Sequence, residues 1–453
     1  MRTEWNERAS ERLDTYVEWL RRYCTIASVS ATGEGIDDAV EFLSNEIKSL
    51  GGEVEVLRLE GANPAVLATF SPDRKMPGGK TLLFYDHYDV QPADPIDEWS
   101  SAPFVPEIRD GKFYARGASD NKGDLVSRLA AVDLLRRQGD LPCTVKFLIE
   151  GEEEVGSPNF ERIVETYKDK LAADACVWET GSRDPSERIH LFLGLKGIAY
   201  VELSVRTADV DLHSSFGAIV DAASNRLVRA LATLRNSYGE IEIPGFYDQV
   251  TPPSADIRRA VEQIPFESEA YRDSFGVSRF TRGREGAAAL AALLLEPSCS
   301  ICGIESGYTG SGAKTVLPRE AVAKVDFRLV PNQSPERVVE RLRRHLAMEG
   351  YGDVEVTVLA GEHPYRTDLH DPFVETVRSV AEEVTGRSVC LYPNHFGSGP
   401  MYPVGHTLGV PIVSVGTAYW DSRPHAPDEN IRLCDFEETI ALMAALISRF
   451  GRS

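Results

Sequence analysis

Histidines and carboxylates recur along this chain, each just after an apolar run. They are His87 and Asp89 in YDHYDV, Asp120 in RGASDNKGD, Glu153 and Glu154 in EGEEEVGS, Glu179 in VWETG, and His425 in RPHAPDEN. Two imidazoles and several carboxylates form a donor set that suits a pair of divalent cations sharing a bridging carboxylate. Such a pair makes water a nucleophile at neutral pH, so the set points to a hydrolase.

The residue types divide the work. His87 and Asp89 are two apart after a strand, and alternation would point both side chains the same way if the strand persisted. A ligating histidine donates its second ring N–H to a partner that fixes its tautomer, and Asp89 can fill that role. Asp120 sits in a loop where Gly117 and Gly123 free the backbone. Asp120 or Asn121 could equally cap the helix that follows. The run from Glu150 to Glu154 packs four carboxylates into five residues. Such crowding is unfavourable unless cations or protons offset it, the ordinary alternative being a solvated acidic turn. In a metal site, one of two adjacent carboxylates binds metal while its neighbour serves as general base. Glu179 and His425 would be uninformative alone and gain meaning only within the set.

The elements that position these residues are legible as periodicities. Helical spacing covers Glu7–Arg22, Asp37–Leu50, Lys122–Gln138 and Asn159–Leu171, and strand-like runs cover Val54–Leu57, Ala65–Phe70, Thr81–Tyr85, Thr144–Ile149 and Ala175–Trp178. Strands alternating with helices predict an α/β fold, a mixed sheet flanked by helices. Ligands gather beyond the carboxyl ends of such strands, where His87, Glu153, Glu154 and Glu179 fall. The texture then changes to strands at Ala199–Arg206, Ala321–Leu329 and Val354–Val358 with helices at Ser224–Asn236 and Ser334–Met348. This predicts a smaller α+β domain, residues 197–360, inserted into a catalytic domain made of residues 1–196 and 361–453. Within the insert, Pro244–Pro297 reads as a helical elaboration, and Ala287–Leu295 as part of a buried helix. The catalytic domain resumes with a helix at Pro372–Thr385, a strand at Pro411–Val415 and a helix at Asp435–Phe450.

Length and composition agree with this division. A chain of 453 residues is too long for one core and predicts two domains. A net charge of -21 argues against nucleic acid or an anionic membrane surface as partner. No apolar run approaches the roughly 20 residues needed to span a bilayer. The charged start MRTEWNERASERLDTYVEWL does not read as a signal peptide. Seven scattered cysteines fit buried thiols in a reducing cytoplasm. Cys299 and Cys302 form a lone CxxC inside SCSICGI, which reads as a strand.

As a set, these motifs resemble the co-catalytic metallopeptidases that include carnosine and cytosolic non-specific dipeptidases, carboxypeptidase G, acetylornithine deacetylase, succinyl-diaminopimelate desuccinylase and aminoacylase. EGEEEVGS, DLHSSFGAIV, GSGAKTVLP and RLVPNQ look most like the dipeptidase branch. The resemblance implies an enzyme that cleaves the amide bond of small peptides with two divalent ions per subunit. Asp120 would bridge them, with His87 and Glu179 completing one site and Glu154 and His425 the other. Glu153 would be the general base and Asp89 the partner of His87. The insert would form a homodimer interface and lend His213 to the partner subunit's reaction oxyanion. Arg328 would hold the substrate carboxylate, and Ser398 would lie in a substrate-binding loop. Two positions depart from the dipeptidase pattern: Glu179 stands where Asp is usual, and Asn394 where relatives often have Arg. Two histidines and three carboxylates make a borderline site, so zinc is the first expectation, with manganese or cobalt as alternatives. The competing activity is deacylation of N-acyl amino acids, and outside catalysis a dimeric binding module that keeps the fold.

Overall fold

The computed structural model describes residues 3–73 and 79–453. The chain divides into two units: Met1–Gly194 with Arg366–Pro393 and Pro400–Ser453, and Leu195–Tyr365 with Asn394–Gly399.

In the first unit the sequence TLLFYDH forms the strand Thr81–His87, buried from Leu82 onward. It lies parallel to Thr144–Glu150 on one side and Ala175–Trp178 on the other. Strands in such a position read as unbroken apolar runs because both faces are covered. Ile412–Ser414 adds in parallel to Ala175–Trp178, while Glu53–Leu57 pairs antiparallel with Ala65–Phe70 and the latter with Thr144–Glu150. Among the described residues these strands, with Ile189–Phe192, Val389–Tyr392 and Ser182–Arg183, make a nine-stranded mixed sheet. On one face the helix Gly123–Arg136 is buried at every residue through Leu135, under the helices Glu4–Cys24 and Leu433–Arg452. On the other, Phe160 of the helix Phe160–Leu171 meets Tyr85 edge-on at 5.2 Å. Each large apolar side chain so buried contributes roughly 1.5–3 kcal/mol.

Local signals set the helix limits. Thr3 and Asn6 form a reciprocal cap at the start of Glu4–Cys24. Pro372–Thr385 begins after Asp371, whose side chain accepts from Phe373 N, and stops at Gly386 with φ 66°. This helix and the strands Ala65–Phe70 and Ala175–Trp178 coincide with the limits expected from periodicity. The strand expected to end at Tyr85 runs on to His87, which pairs with Glu150.

The second unit is a four-stranded antiparallel sheet in the order Ser298–Ser306, Glu320–Leu329, Gly197–Arg206, Glu355–Glu362. Gly197–Arg206 alternates buried and half-buried, which is the pattern of a sheet with one covered face. The helices Ala223–Ala232 and Pro335–Met348 supply that cover. Residues 244–297 contain three short α-helices and one 3-10 turn. One is Gly286–Leu295, which buries only Leu290 and Leu294. The buried helix expected over Ala287–Leu295 is therefore a half-exposed one, because an apolar run reports composition and not cover. Asn394–Gly399 belongs to this unit rather than to the returning catalytic segment, since Gly397 O accepts from Lys196 N at 3.0 Å. SCSICGI lies in the strand Ser298–Ser306, and all seven cysteines are free. Among the described residues no helix is long and apolar enough to cross a membrane.

One buried cation ties the strand ends of the first unit together. Arg128, fully buried, donates through Nη1 to Tyr85 O (2.8 Å) and Asp86 Oδ1 (2.5 Å) and through Nη2 to Trp178 O (2.7 Å) and Val415 O (3.2 Å). Burial pushes the Asp86 carboxyl up to about 7 against the pull of Arg128. Removing one member of a buried ion pair strands the other, so Arg128→Met should destabilise the protein by about 3–5 kcal/mol, read from urea unfolding midpoints. A loss below about 1 kcal/mol would show that this tie is dispensable.

Candidate metal centre

His87 closes its strand at 1% exposure, Glu179 follows Trp178, and Asp120 sits just ahead of the buried helix Gly123–Arg136. His87 Nε2 lies 3.0 Å from Asp120 Oδ1 and 3.1 Å from Glu179 Oε2. His425 arrives from the far end of the chain, and its Nε2 lies 3.0 Å from Asp120 Oδ2 and 3.1 Å from Glu154 Oε2. Two donor clusters therefore share one carboxylate, each using a different oxygen of Asp120.

The clusters have the chemistry of cation sites. An imidazole Nε2 carries at most one hydrogen, yet each faces two carboxylate oxygens. Glu179 Oε2 and Glu154 Oε1 are buried without a hydrogen bond. Donor atoms around a tetrahedral ion bound at about 2.0 Å stand roughly 3.3 Å apart, close to these spacings. His87, Asp120 and Glu154 also offer ligand atoms within 4.8 Å of one another.

Proton affinities register the same crowding. Burial, then the Glu179 carboxylate, drives Glu153 well above the usual carboxylate range. Burial does the same to Glu179, against the pull of His87. Burial opposes a charged His87, but Glu179, Asp120 and Asp89 outweigh it and raise the imidazole well above 6.5. Hydrogen bonds to Asp120 and then Glu154 raise His425 to about 10. Burial also opposes the Asp120 charge, yet bonds from His425 and His87 hold its carboxyl below the usual range.

Buried polar groups set these positions. The Asp89 carboxylate accepts from Glu153 N (3.3 Å) and Glu154 N (3.0 Å). His87 Nδ1 is 3.0 Å from Asp89 backbone O and 3.4 Å from Asp89 Oδ1. Gln91 Nε2 donates to Glu154 Oε2 at 2.9 Å and to Glu154 O at 3.0 Å. Glu429 accepts from the backbone of Gly117, Ser119 and Asp120 and from Arg116. Neither Asp120 nor Asn121 caps the helix Gly123–Arg136, which has no side-chain cap. Asn121 Oδ1 instead accepts from His87 N at 3.3 Å.

The acidic run is no solvated turn. Glu150, 1% exposed, bonds to the Tyr85 hydroxyl and to Ser157 Oγ at 3.0 Å, and burial pushes it up to about 8. Glu152 accepts from Asn63 N at 2.9 Å and Asn159 Nδ2 at 3.0 Å. Sequence reasoning missed Gln91, Arg116 and Glu429. Their one signal was that Glu429 follows His425 in the same short acidic segment, HAPDEN.

His213, Arg328 and Ser398 belong to the second unit. His213 is exposed, with Nδ1 2.9 Å from Ser215 Oγ. Arg328 donates from Nη1 to Ser398 Oγ and from Nε to Asp326 Oδ2, both at 2.9 Å. The two residues expected to handle substrate are thus bonded to each other. Asn394 is buried with neither amide atom bonded.

Comparison with known proteins places this geometry in context. The model of peptidase family M20/M25/M40 matches residues 83–449. The chain is 32% identical to human Beta-Ala-His dipeptidase, over 84% of this chain and 76% of the human protein. It is 32% identical to the Cys-Gly metallodipeptidase dug1 of Schizosaccharomyces pombe, over 74% of this chain and 73% of that protein. Among solved structures, the M20 family metallo-carboxypeptidase Sso-CP2 from Sulfolobus solfataricus superposes with a TM-score of 0.92 at 37% identity, covering 97% of this chain and 99% of that one.

The His425 shift has a definite sign. In chelator-treated protein its partnership with Asp120 and Glu154 should contribute stability fully present below about pH 6.5 and lost as pH rises through about 10. Cation binding needs the neutral imidazole, so affinity should climb over the same interval with protons released. Calorimetric titration in buffers of different ionisation enthalpy checks this, and a pH-independent affinity would contradict it.

Proposed function

The chain belongs to peptidase family M20/M25/M40, and from that premise we propose that its histidine–carboxylate centre holds two divalent cations and hydrolyses the amide bond of dipeptides. The observation that carries this reading is Asp120, which offers one oxygen to each of two imidazoles. Asp120 would bridge the two cations, with His87 and Glu179 completing one site and Glu154 and His425 the other. Zinc is the first choice for this donor set, with manganese or cobalt as alternatives. Cations bound there supply Lewis acidity to the scissile carbonyl and acidify water.

The protein's own groups do the rest. Glu153 adjoins a ligand, yet its carboxylate is not among the groups that face the two imidazoles at 3.0–3.1 Å. It takes a proton from the attacking water and delivers it to the leaving amine. Asp89 orients His87 and holds the Glu153 and Glu154 backbone. Arg328 holds the substrate carboxylate, and Ser398, bonded to it, lies in a substrate-binding loop. His213 is assigned to the reaction oxyanion of a partner subunit. The Cys-Gly and Beta-Ala-His activities of the relatives support a dipeptide over an N-acyl amino acid.

A homodimer through the inserted domain and a cytoplasmic location complete the proposal. Residues 300–305 of the strand Ser298–Ser306 are exposed, Ile301 at 46% and Ile304 at 56%. An apolar sheet edge of this length is a template for another strand, and a second copy can add its own. Seven free cysteines agree with a reducing compartment.

Two measurements test the reading. Glu153→Gln should retain both cations while kcat falls about 10²–10⁴-fold on a dipeptide, and normal turnover in that variant would remove Glu153 from the reaction. A panel of dipeptides and N-acyl amino acids, with zinc and manganese compared, should release free amino acids from the former; acetate or succinate release alone would make the protein a deacylase. Separately, Ile301→Lys with Ile304→Glu should halve the mass seen by analytical ultracentrifugation, and an unchanged mass would place the dimer elsewhere.

A further inference from the structure

The segment that carries His425 carries a second residue aimed at the same centre. Glu429, four positions on, is 0% exposed. Its Oε2 accepts from Arg116 Nη1 (2.7 Å) and Gly117 N (3.0 Å), and its Oε1 from Ser119 N (2.8 Å) and Asp120 N (2.9 Å). A carboxylate has about four acceptor sites, and all are taken, so Glu429 has no capacity left to ligate a cation. Three of the four donors are backbone amides of the loop that ends in Asp120. That loop turns at Gly117, with φ 82°, where a Cβ would stand 2.7 Å from Val90 Cγ1. Arg116, 1% exposed, balances the charge and donates also to Pro92 O at 3.2 Å.

Such an arrangement needs a reason. A buried ion pair is weak evidence for stability, because desolvation offsets most of the attraction. What Glu429 adds is placement. Its two oxygens hold the amides of Gly117, Ser119 and Asp120 while the Asp120 carboxylate meets two imidazoles. Only a carboxylate can do this, since the amide of Gln has one acceptor atom and would turn an NH₂ toward two donors.

We propose that Glu429 is a positioning residue, which holds the Gly117–Asp120 backbone so that both oxygens of the Asp120 carboxylate are available to two cations at once. The inference rests on the binuclear reading above and extends it to a residue that touches neither cation nor substrate. It also makes the 425–429 segment serve both sites: His425 directly for one, and Glu429, through Asp120, for the pair.

The test is cobalt titration of the chelator-treated full chain, followed by visible absorption and then by kinetics on a dipeptide. In Glu429→Gln, at least one cobalt ion should bind about 10–100-fold more weakly, with an altered ligand-field spectrum. kcat should fall while KM stays within about twofold, and excess metal should recover part of the rate. A purely structural role would lower the unfolding midpoint and leave the cobalt spectrum and KM-against-kcat split unmoved. Glu429→Asp, one methylene shorter, should show the same defects in milder form. Wild-type cobalt affinity and spectrum in either folded variant overturns the proposal. Failure of both variants to fold with metal present also overturns it, since Glu429 would then be required for folding rather than placement. If the wild-type chain itself takes up fewer than two cobalt ions, the binuclear reading fails, which is a distinguishable result.

Discussion

Two imidazoles from distant parts of the chain approach different oxygens of one carboxylate, and a set of buried hydrogen bonds holds the backbone that carries it. Asp120 sits at a non-helical kink inside the short π-helical turn Ala118–Lys122, and no sheet ladder restrains it. Glu429 restrains it by accepting from the backbone of Gly117, Ser119 and Asp120. The same device recurs nearby. Asp89 accepts from the amides of Glu153 and Glu154, and Asp124 Oδ1 accepts from Thr417 N at 2.6 Å. Charge-assisted hydrogen bonds in a low-dielectric interior are short and directional, which makes a buried carboxylate an effective clamp for a loop.

The clamps concentrate negative charge, and the fold answers with buried cations. Arg116 faces Glu429, Arg128 faces Asp86, and Lys122, also buried, reaches Tyr23 O and Ile26 O. None of these cations lies among the donor atoms around the two imidazoles. There the histidines face the carboxylates at 3.0–3.1 Å, and Glu153 and Glu179 are driven up by burial and by neighbouring charge. Protein cations thus balance the clamps, while the carboxylates around the two imidazoles form the candidate cation site.

Exposure is graded across the site. His87 and Glu179 stand at strand ends pinned by Arg128. His425 stands in a loop with its side chain 54% exposed and φ at +60°, a conformation that non-glycine residues adopt only when their surroundings hold them there. The cluster built on Glu154 and His425 is therefore the more open, and the one built on His87 and Glu179 the more buried. In the second unit, Arg328 and Ser398 are joined by a hydrogen bond although Ser398 comes from a segment far along the chain.

The two strand-borne candidate ligands were legible because central strands covered on both faces read as continuous apolar runs, and polar residues that end such runs stand out. The pairing of His87 with Asp89 was also visible, as a spacing of two. Asp120 was ambiguous, since a ligand and a helix cap share the same local signature, and only the approach of His425 separates them. The four carboxylates of EGEEE look alike in sequence. Tertiary contacts made Glu150 a partner of Tyr85, tied Glu152 to Asn63 and Asn159, turned Glu154 toward His425 and left Glu153 in the centre. The grip of Glu429 on the Asp120 backbone was invisible because its partners lie 309 to 313 positions away, and local pattern carries no information about contacts closed only by folding. The sequence by itself determined which residue types end which strands, hence the class of chemistry. The tertiary structure decided which oxygen faces which nitrogen, because those distances depend on buried hydrogen bonds between segments that meet only when the sheet and its covering helices are complete.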